Sequence, residues 1–353
     1  MSLRNTCHDY ENLYTEFEHI YIKNKTTSTI NENNDLIFIE NNIHEAILNN
    51  EPIEDKLNII ICISNPCLYK KRYELANKFI NTMEKNKDVN LYVVELIYNN
   101  QTFHVTNKDN PKHLQLETST EPLWIKENLL NLGTKLLPKN WKAVAFCDAD
   151  IEFDNPRFAI DVLKILNGSR DVIQMHSHCI DLDDNSNAMS IFSSFGYQYT
   201  MKRPYTRIGS INFYHPGYTI AMTRNAYEKI DGLYQLSILG AGDHNMFLSF
   251  VGKGITSLSN DVTDEYKASI LDFEHKCKGL LIGYTPGIIR HFFHGSKKNR
   301  HYSERWKILI THKYNPYTHI TFNSNGLMIP SENCPKELLN DIKLYFQSRN
   351  EDE

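Results

Sequence analysis

Along the chain, the pattern of apolar and polar positions becomes regular at residue 57. Leu57–Ile63 (LNIIICI) is a continuous apolar, β-branched run, the mark of a strand buried on both faces, and Ser64–Asn65–Pro66 ends it. From Tyr69 the positions Tyr69, Tyr73, Ala76, Ile80 and Met83 recur at helical spacing, which predicts a helix over 69–86 with one face on a sheet. Asn90–Ile97 (NLYVVELI) reads as a second strand, and this strand–helix–strand rhythm implies an α/β fold with parallel strands. The polar stretch 106–121, with KDNP and ETSTEP, reads as a loop. A helix follows over 122–136 (PLWIKENLLNLGTKL), opened by Pro122 and closed by LPKNW. Lys142–Cys147 (KAVAFC) is another buried strand, and it runs directly into Asp148–Ala149–Asp150.

The flanks are less regular. Residues 1–55 are rich in Asn, Glu and Ile without sustained periodicity and are read as an N-terminal extension packed on a main domain over 56–312. Residues 313–353 form a C-terminal extension whose LLNDIKLYF fits an amphipathic helix, assigned to packing or an oligomer contact. No internal repeat is present. The Asn, Ile and Lys usage fits an AT-rich genome, such as that of a microbial parasite or a large virus.

Composition narrows the class. A chain of 353 residues with 41% hydrophobic and 23% charged positions can bury a large core. Its 38 Lys and Arg against 43 Asp and Glu, a net charge of -5, argue against a general nucleic-acid binder. No apolar run approaches the roughly 20 residues of a membrane helix, and the polar start has no signal-peptide core, so a soluble, cytoplasmic protein is expected. If the source is viral, that compartment is the host cytoplasm. Seven scattered cysteines form no C-x-x-C pair; they fit small buried side chains rather than a zinc ribbon or a disulfide scaffold.

Three clusters carry candidate chemistry. Asp148 and Asp150 follow a buried strand, where ligands of open α/β sheets collect. In an extended segment both would face one crevice, where a divalent Mg²⁺ or Mn²⁺ would relieve their repulsion and bridge to a phosphate. The plain alternative is a chance D-x-D on a solvated loop. In Arg290–Trp306 (RHFFHGSKKNRHYSERW), His291 and His294 precede Lys298, Arg300 and Arg305, a set suited to a metal and a diphosphate, or simply to a solvated basic face. In His215–Met246, Gly217 leads into a strand over 218–222, and Gly240–Ala241–Gly242 precedes Asp243. Asp243 fits a general base behind a turn that lets backbone approach a ligand, or an N-cap of the following helix; the two roles are compatible.

In this order the clusters resemble the GT-A glycosyltransferases, in particular family-2-like enzymes and beta-1,4-galactosyltransferases. AVAFCDADIEF resembles their strand and D-x-D. HPGYTIAMTRNAYEKIDGLYQLSILGAGDHNM resembles their donor- and acceptor-lining segment, and HFFHGSKKNRHYSERW their C-terminal metal-completing loop. The resemblance covers about 57–312. It implies a mixed central sheet flanked by helices and a manganese- or magnesium-dependent, inverting transfer of a hexose from a nucleotide-sugar, a UDP-sugar, to a glycan or glycoconjugate hydroxyl. Carried over, Asp150 with His294 and His291 would hold the metal and Asp243 would be the base. Asp148, Lys126, Asn128, Gly217, Gly242, Lys298 and Arg300 would serve the nucleotide-sugar. One departure matters. Gly242 stands where the galactosyltransferase pattern has Glu, and Ala241 replaces a glycine, so galactose specificity and the acceptor contact do not carry over, while the base does. A non-catalytic carbohydrate- or nucleotide-binding protein of the same fold is the main alternative. A zinc hydrolase built on His291 and His294 ranks below it, for want of the glutamate of H-E-x-x-H.

Overall fold

The computed structural model describes residues 42–205, 214–300 and 304–353. Residues 1–41 of the expected extension, with Cys7, and 301–303 of the basic cluster lie outside the described residues. In chain order the first half comprises α1 (42–49), β1 (Leu57–Ser64), α2 (Lys70–Glu84), β2 (Val89–Tyr98), β3 (His113–Thr118), α3 (Lys126–Gly133), β4 (Ala143–Cys147), β5 (Ile151–Phe153) and α4 (Phe158–Leu166). Then come β6 (Val172–Gln174), β7 (His178–Leu182), β8 (Ala188–Ser194), α5 (Phe195–Thr200), β9 (Tyr214–His215), β10 (Thr219–Thr223) and α6 (Arg224–Lys229). The remainder is α7 (Gly242–Phe250), α8 (Asp264–Cys277), β11 (Ile282–Tyr284), β12 (Ile288–His291), α9 (Arg305–Thr311), β13 (Ile320–Phe322), β14 (Met328–Pro330) and α10 (Lys336–Ser348).

The central sheet has seven strands in the order β11-β6-β10-β4-β1-β2-β3. It is mixed: β10 runs antiparallel to β4 and β6, while β4, β1, β2 and β3 are parallel. Alternation explains its apolar runs. Ile60, Val94, Val144 and Phe146 face one core, with α3, α6, α7 and α8; Ile59, Ile61, Val93 and Ala145 face a second, with α1, α2 and α4. A strand covered on both faces has no polar position to alternate with. α1 is tied to α4, with Ile43 and Ala46 in the second core and Lys164 Nζ donating to Ile47 O at 2.9 Å.

Two predicted elements change. The loop expected over 106–121 contains β3, an edge strand whose only fully buried side chain is Leu116; its polarity is that of a strand with one neighbour. The helix expected from Pro122 begins at Lys126, because Leu123 and Ile125 turn into the core and Trp124 N donates to Ile238 O at 2.9 Å. A five-stranded sheet, β5-β12-β7-β8-β9, packs beside the first and carries half of the candidate site.

Candidate functional site

Strand register assembles the first half of the site. β4 ends where Cys147 pairs with Thr219, and Asp148 N donates to Tyr218 O at 2.8 Å. The chain then turns at Ala149–Asp150 before β5, so the acidic pair sits on a turn and not on the extended segment expected from sequence. Both carboxylates nonetheless line one cavity of about 220 Å³. β12 pairs antiparallel with β5, His291 opposite Ile151, and parallel with β7, His291 opposite Asp181. That double register fixes His291 beside Asp150. His294 returns from the loop after β12, so the histidine pair lies on a strand end and a loop.

Asp150, His291 and His294 offer one ligand atom each within 4.8 Å of one another. His294 Nε2 is 3.0 Å and His291 Nε2 3.8 Å from Asp150 Oδ2, and the two Nε2 atoms are 3.3 Å apart. The other ring nitrogens each face a carboxylate. His291 Nδ1 donates to the fully buried Asp181 at 2.8 Å, and His294 Nδ1 faces Glu351 at 3.4 Å. Carboxylates behind imidazoles orient metal-ligating histidines in the same manner. Burial works against the charge on Asp150, but the two histidines outweigh it and hold its carboxyl well below the ordinary range. His291 is buried too, yet Asp150 and Asp181 lift it to about 8. The trio fits a divalent cation: it is a mixed carboxylate–imidazole donor set, and Asp150 Oδ1 is buried with no hydrogen-bond partner among the described residues. Two imidazoles beside one carboxylate suit a divalent transition metal better than Mg²⁺, whose preference is for oxygen alone. Arg300 Nη2, 2.9 Å from His294 Nε2, brings a positive charge to the same place.

The cavity wall is rich in cations. Lys126, Arg72, Arg300, Arg305 and Arg349 line it with Asp148, Asp150, Asp243 and Glu127. Lys126 pairs with Asp148. Burial opposes the Lys126 ammonium, but Asp148, Glu127 and Asp243 around it push its pKa up. Burial dominates at Asp148 and, with Asp150, raises its carboxyl despite Lys126.

Asp243 occupies the first turn of α7 rather than its N-cap; Ala241 takes the cap position at φ 72°, a left-handed conformation that strains an alanine. Burial works to raise the Asp243 carboxyl, but Lys126, His215 and the His244 amide hold it below the ordinary value. It is therefore an ionised carboxylate at a helix N-terminus, competent to take a proton. The glycines around it make room. A Cβ on Gly217 would lie 2.7 Å from Asp243 Oδ2, one on Gly240 2.6 Å from Arg305 Nη1, and one on Gly242 2.3 Å from Glu127 Oε1.

Of the residues singled out from sequence, Asp148, Asp150, Lys126, Gly242, Asp243, His291, His294 and Arg300 meet at this cavity, and Gly217 backs Asp243. Asn128 does not reach it: its amide donates to Gln235 and Gly326 and accepts from Met328 N, holding a loop. Lys298 lies exposed on a short turn, also away from the cavity. Arg72, Trp124, Glu127, Asp181, Phe346, Arg349 and Glu351 were not foreseen. Glu351 accepts from Arg72 and Arg349 while facing His294. Phe346 stacks on Trp124 with ring centroids 6.0 Å apart, and Arg349 lies over the same indole. The region expected to serve packing or oligomer contacts thus forms one wall of the cavity.

No protein-family model and no curated protein matches the chain. Two solved structures that resemble it are of Drosophila beta-1,4-galactosyltransferase 7. A mutant in complex with manganese, UDP-Gal and xylobiose aligns at 9% identity and a TM-score of 0.32, over 56% of this chain and 62% of that one. The catalytic domain in complex with xylobiose aligns at 10% identity and a TM-score of 0.35, over 83% of this chain and 99% of that one. Likenesses this distant carry nothing about activity; the chemistry rests on the residues of the cavity. Among the described residues, no helix is long and apolar enough to cross a membrane.

Proposed function

We propose that this protein is a metal-dependent, inverting glycosyltransferase of GT-A type, moving a hexose from a nucleotide-sugar, a UDP-sugar, to a hydroxyl of a glycan or glycoconjugate. One observation carries the reading. A carboxylate–imidazole trio and a separate ionised carboxylate, Asp243, line a single cation-rimmed cavity. A carboxylate set apart from the trio is placed to take the proton of an acceptor hydroxyl, whereas the H-x-x-H pair lacks the adjacent glutamate a zinc hydrolase would use.

Asp150, His291 and His294 would hold the divalent cation, Mn²⁺ in this reading. When bound, it neutralises the charge that develops on the departing diphosphate. Lys126 and Arg300 neutralise the same phosphates from the protein side, and Lys126 is kept cationic above all by Asp148, its ion-pair partner. Asp243 takes the proton of the acceptor hydroxyl as its oxygen attacks the anomeric carbon. The bond from that carbon to the phosphate oxygen breaks, the nucleoside diphosphate leaves with the electron pair, and the configuration inverts. Residues 56–312 supply these groups, and residues 346–351 brace them.

The test is nucleotide release from a panel of UDP-, GDP- and TDP-sugars with Mn²⁺ and then EDTA. Release from one donor that is lost with EDTA and in Asp150→Ala supports the assignment and names the sugar. Asp243→Asn is expected to cut transfer roughly 10²–10⁴-fold while leaving Mn²⁺-dependent nucleotide binding intact by calorimetry. Near-normal turnover in that variant would remove Asp243 as the base. No release together with no metal-dependent nucleotide binding would sink the whole reading.

A further inference from the structure

Glu127 lies in the first turn of α3, next to the lysine that pairs with Asp148. It is 3% exposed, and its Oε2 has no hydrogen-bond partner among the described residues. The side chain lines the cavity on the side of Gly242 and Asp243. A Cβ on Gly242 would stand 2.3 Å from Glu127 Oε1 and 2.9 Å from Oε2, so the missing side chain is what lets the carboxylate in. Burial, only partly offset by Lys126, raises it to about 7. An unsatisfied buried carboxylate costs stability, and one aimed into a cavity is satisfied by what enters there.

The chemistry of the missing partner can be narrowed. The metal-ligating trio does not include Glu127, and a diphosphate would be repelled by it. What remains is a neutral hydrogen-bond donor. Beside it, Asp243 already accepts His244 N on Oδ1 at 2.8 Å and turns its other oxygen toward Gly217. Two neighbouring carboxylates, both acceptors, ask for two donors carried by one ligand. Adjacent hydroxyls of a sugar ring supply such a pair. The lone hydroxyl of a serine side chain or of a lipid alcohol does not.

We propose, resting on the glycosyltransferase reading above, that Glu127 is a specificity residue of the acceptor site. It accepts a hydrogen bond from the hydroxyl next to the one that Asp243 deprotonates, so the acceptor is a sugar with a free vicinal diol. Glu127 enters from α3 and stands against Gly242, the residue before Asp243. It makes and breaks no covalent bond.

The experiment uses the full chain, Mn²⁺ and the donor selected by nucleotide release. The acceptors are methyl glycosides of glucose, galactose, xylose and N-acetylglucosamine, their monodeoxy analogues, and a serine peptide and octanol as single-hydroxyl acceptors. Glu127→Gln is expected to raise the KM of the preferred glycoside roughly 10- to 100-fold, the loss of one hydrogen bond to a charged group. Its Mn²⁺-dependent nucleotide binding and donor hydrolysis should match wild type. The deoxy analogue lacking the neighbouring hydroxyl should be as poor for wild type as the intact glycoside is for Glu127→Gln, with no further penalty when both changes are combined. An unchanged acceptor KM in Glu127→Gln, additive penalties, or preferred transfer to the serine peptide or octanol would overturn the inference. A Glu127→Gln that fails to bind nucleotide would also overturn it, by making Glu127 a donor-side or structural group. Gly242→Ala, which crowds the carboxylate without removing it, should also raise the glycoside KM if the protein stays folded by circular dichroism. A wild type that binds no nucleotide with Mn²⁺ fails earlier, at the transferase reading itself.

Discussion

The two ends of the cavity are organised by opposite means. At the metal end, each imidazole is oriented by a partner: Asp181 behind His291, Glu351 behind His294, and the register of β12 between β5 and β7. At the acid end, Asp243 and Glu127 are admitted by atoms that are not there, at Gly217 and Gly242. One end is held by charge and hydrogen bonds, the other by vacated volume. Charge-deleting substitutions should therefore damage the first, and volume-adding ones the second.

The largest break should come from Glu351→Gln. Glu351 joins Arg72, Arg349 and His294, and its carboxyl is held well below the ordinary range because, against burial, Arg72 and His294 stabilise the ionised form. Removing one partner of a buried ion pair costs about 3–5 kcal/mol, which denaturant unfolding would read. Loss of the carboxylate behind His294 should weaken Mn²⁺ binding roughly 10- to 100-fold by calorimetry. Wild-type affinity in this variant would mean that the metal end does not depend on its outer partners.

Next in size is a pH effect on the metal-free protein. His291 is raised from 6.5 to about 8 in the fold. Its contribution, about 2 kcal/mol for that shift, is fully present below pH 6.5 and is lost as pH rises through about 8. Mn²⁺ binding needs the neutral imidazole, so its affinity should rise over the same window. Melting temperature and Mn²⁺ affinity measured together across that range should move in opposite directions, and His291→Gln should flatten the melting response. Parallel movement would contradict the ion pair with Asp150.

The smallest effect sharpens the acid end. Ala241→Gly relieves a left-handed backbone at φ 72° and should be neutral or stabilising by up to about 1 kcal/mol. Gly242→Ala, one position on, should be destabilising by about 1–3 kcal/mol because its methyl meets a buried carboxylate. If both variants shifted the denaturation midpoint in the same direction, vacated volume would not be what organises this end.

Much of the fold was legible because the central strands are buried on both faces: LNIIICI and KAVAFC have no other use for so many consecutive apolar residues. β3 was not, since HLQLET at a sheet edge looks like polar coil. The site divides along similar lines. Asp150, His291, His294 and Asp243 are polar groups at element ends beside glycines or turns, where local pattern points to them. Glu127 was hidden because no local pattern sets it apart from the other polar positions of the helix predicted over 122–136; the only trace of it was a glycine 115 positions away. Asp181, buried at the centre of HCIDL, carried a signal in principle, an acid on an inward strand position. Arg72 and Glu351 meet across 279 residues, a separation no local pattern reports. Asn128 was carried over from the family resemblance and Lys298 from the basic cluster after His294, and side-chain direction places both elsewhere.

That long-range meeting also bears on how the protein is made. The ion pair of Arg72 with Glu351 and the contact of Glu351 with His294 cannot form until residue 351 has emerged from the ribosome and folded back against α2. A nascent chain that has already built its central sheet still has an unbraced metal end. Chains cut short before residue 351 would fold most of their core yet lack the carboxylate that faces His294, so this part of the site is completed only after the central sheet has been synthesised.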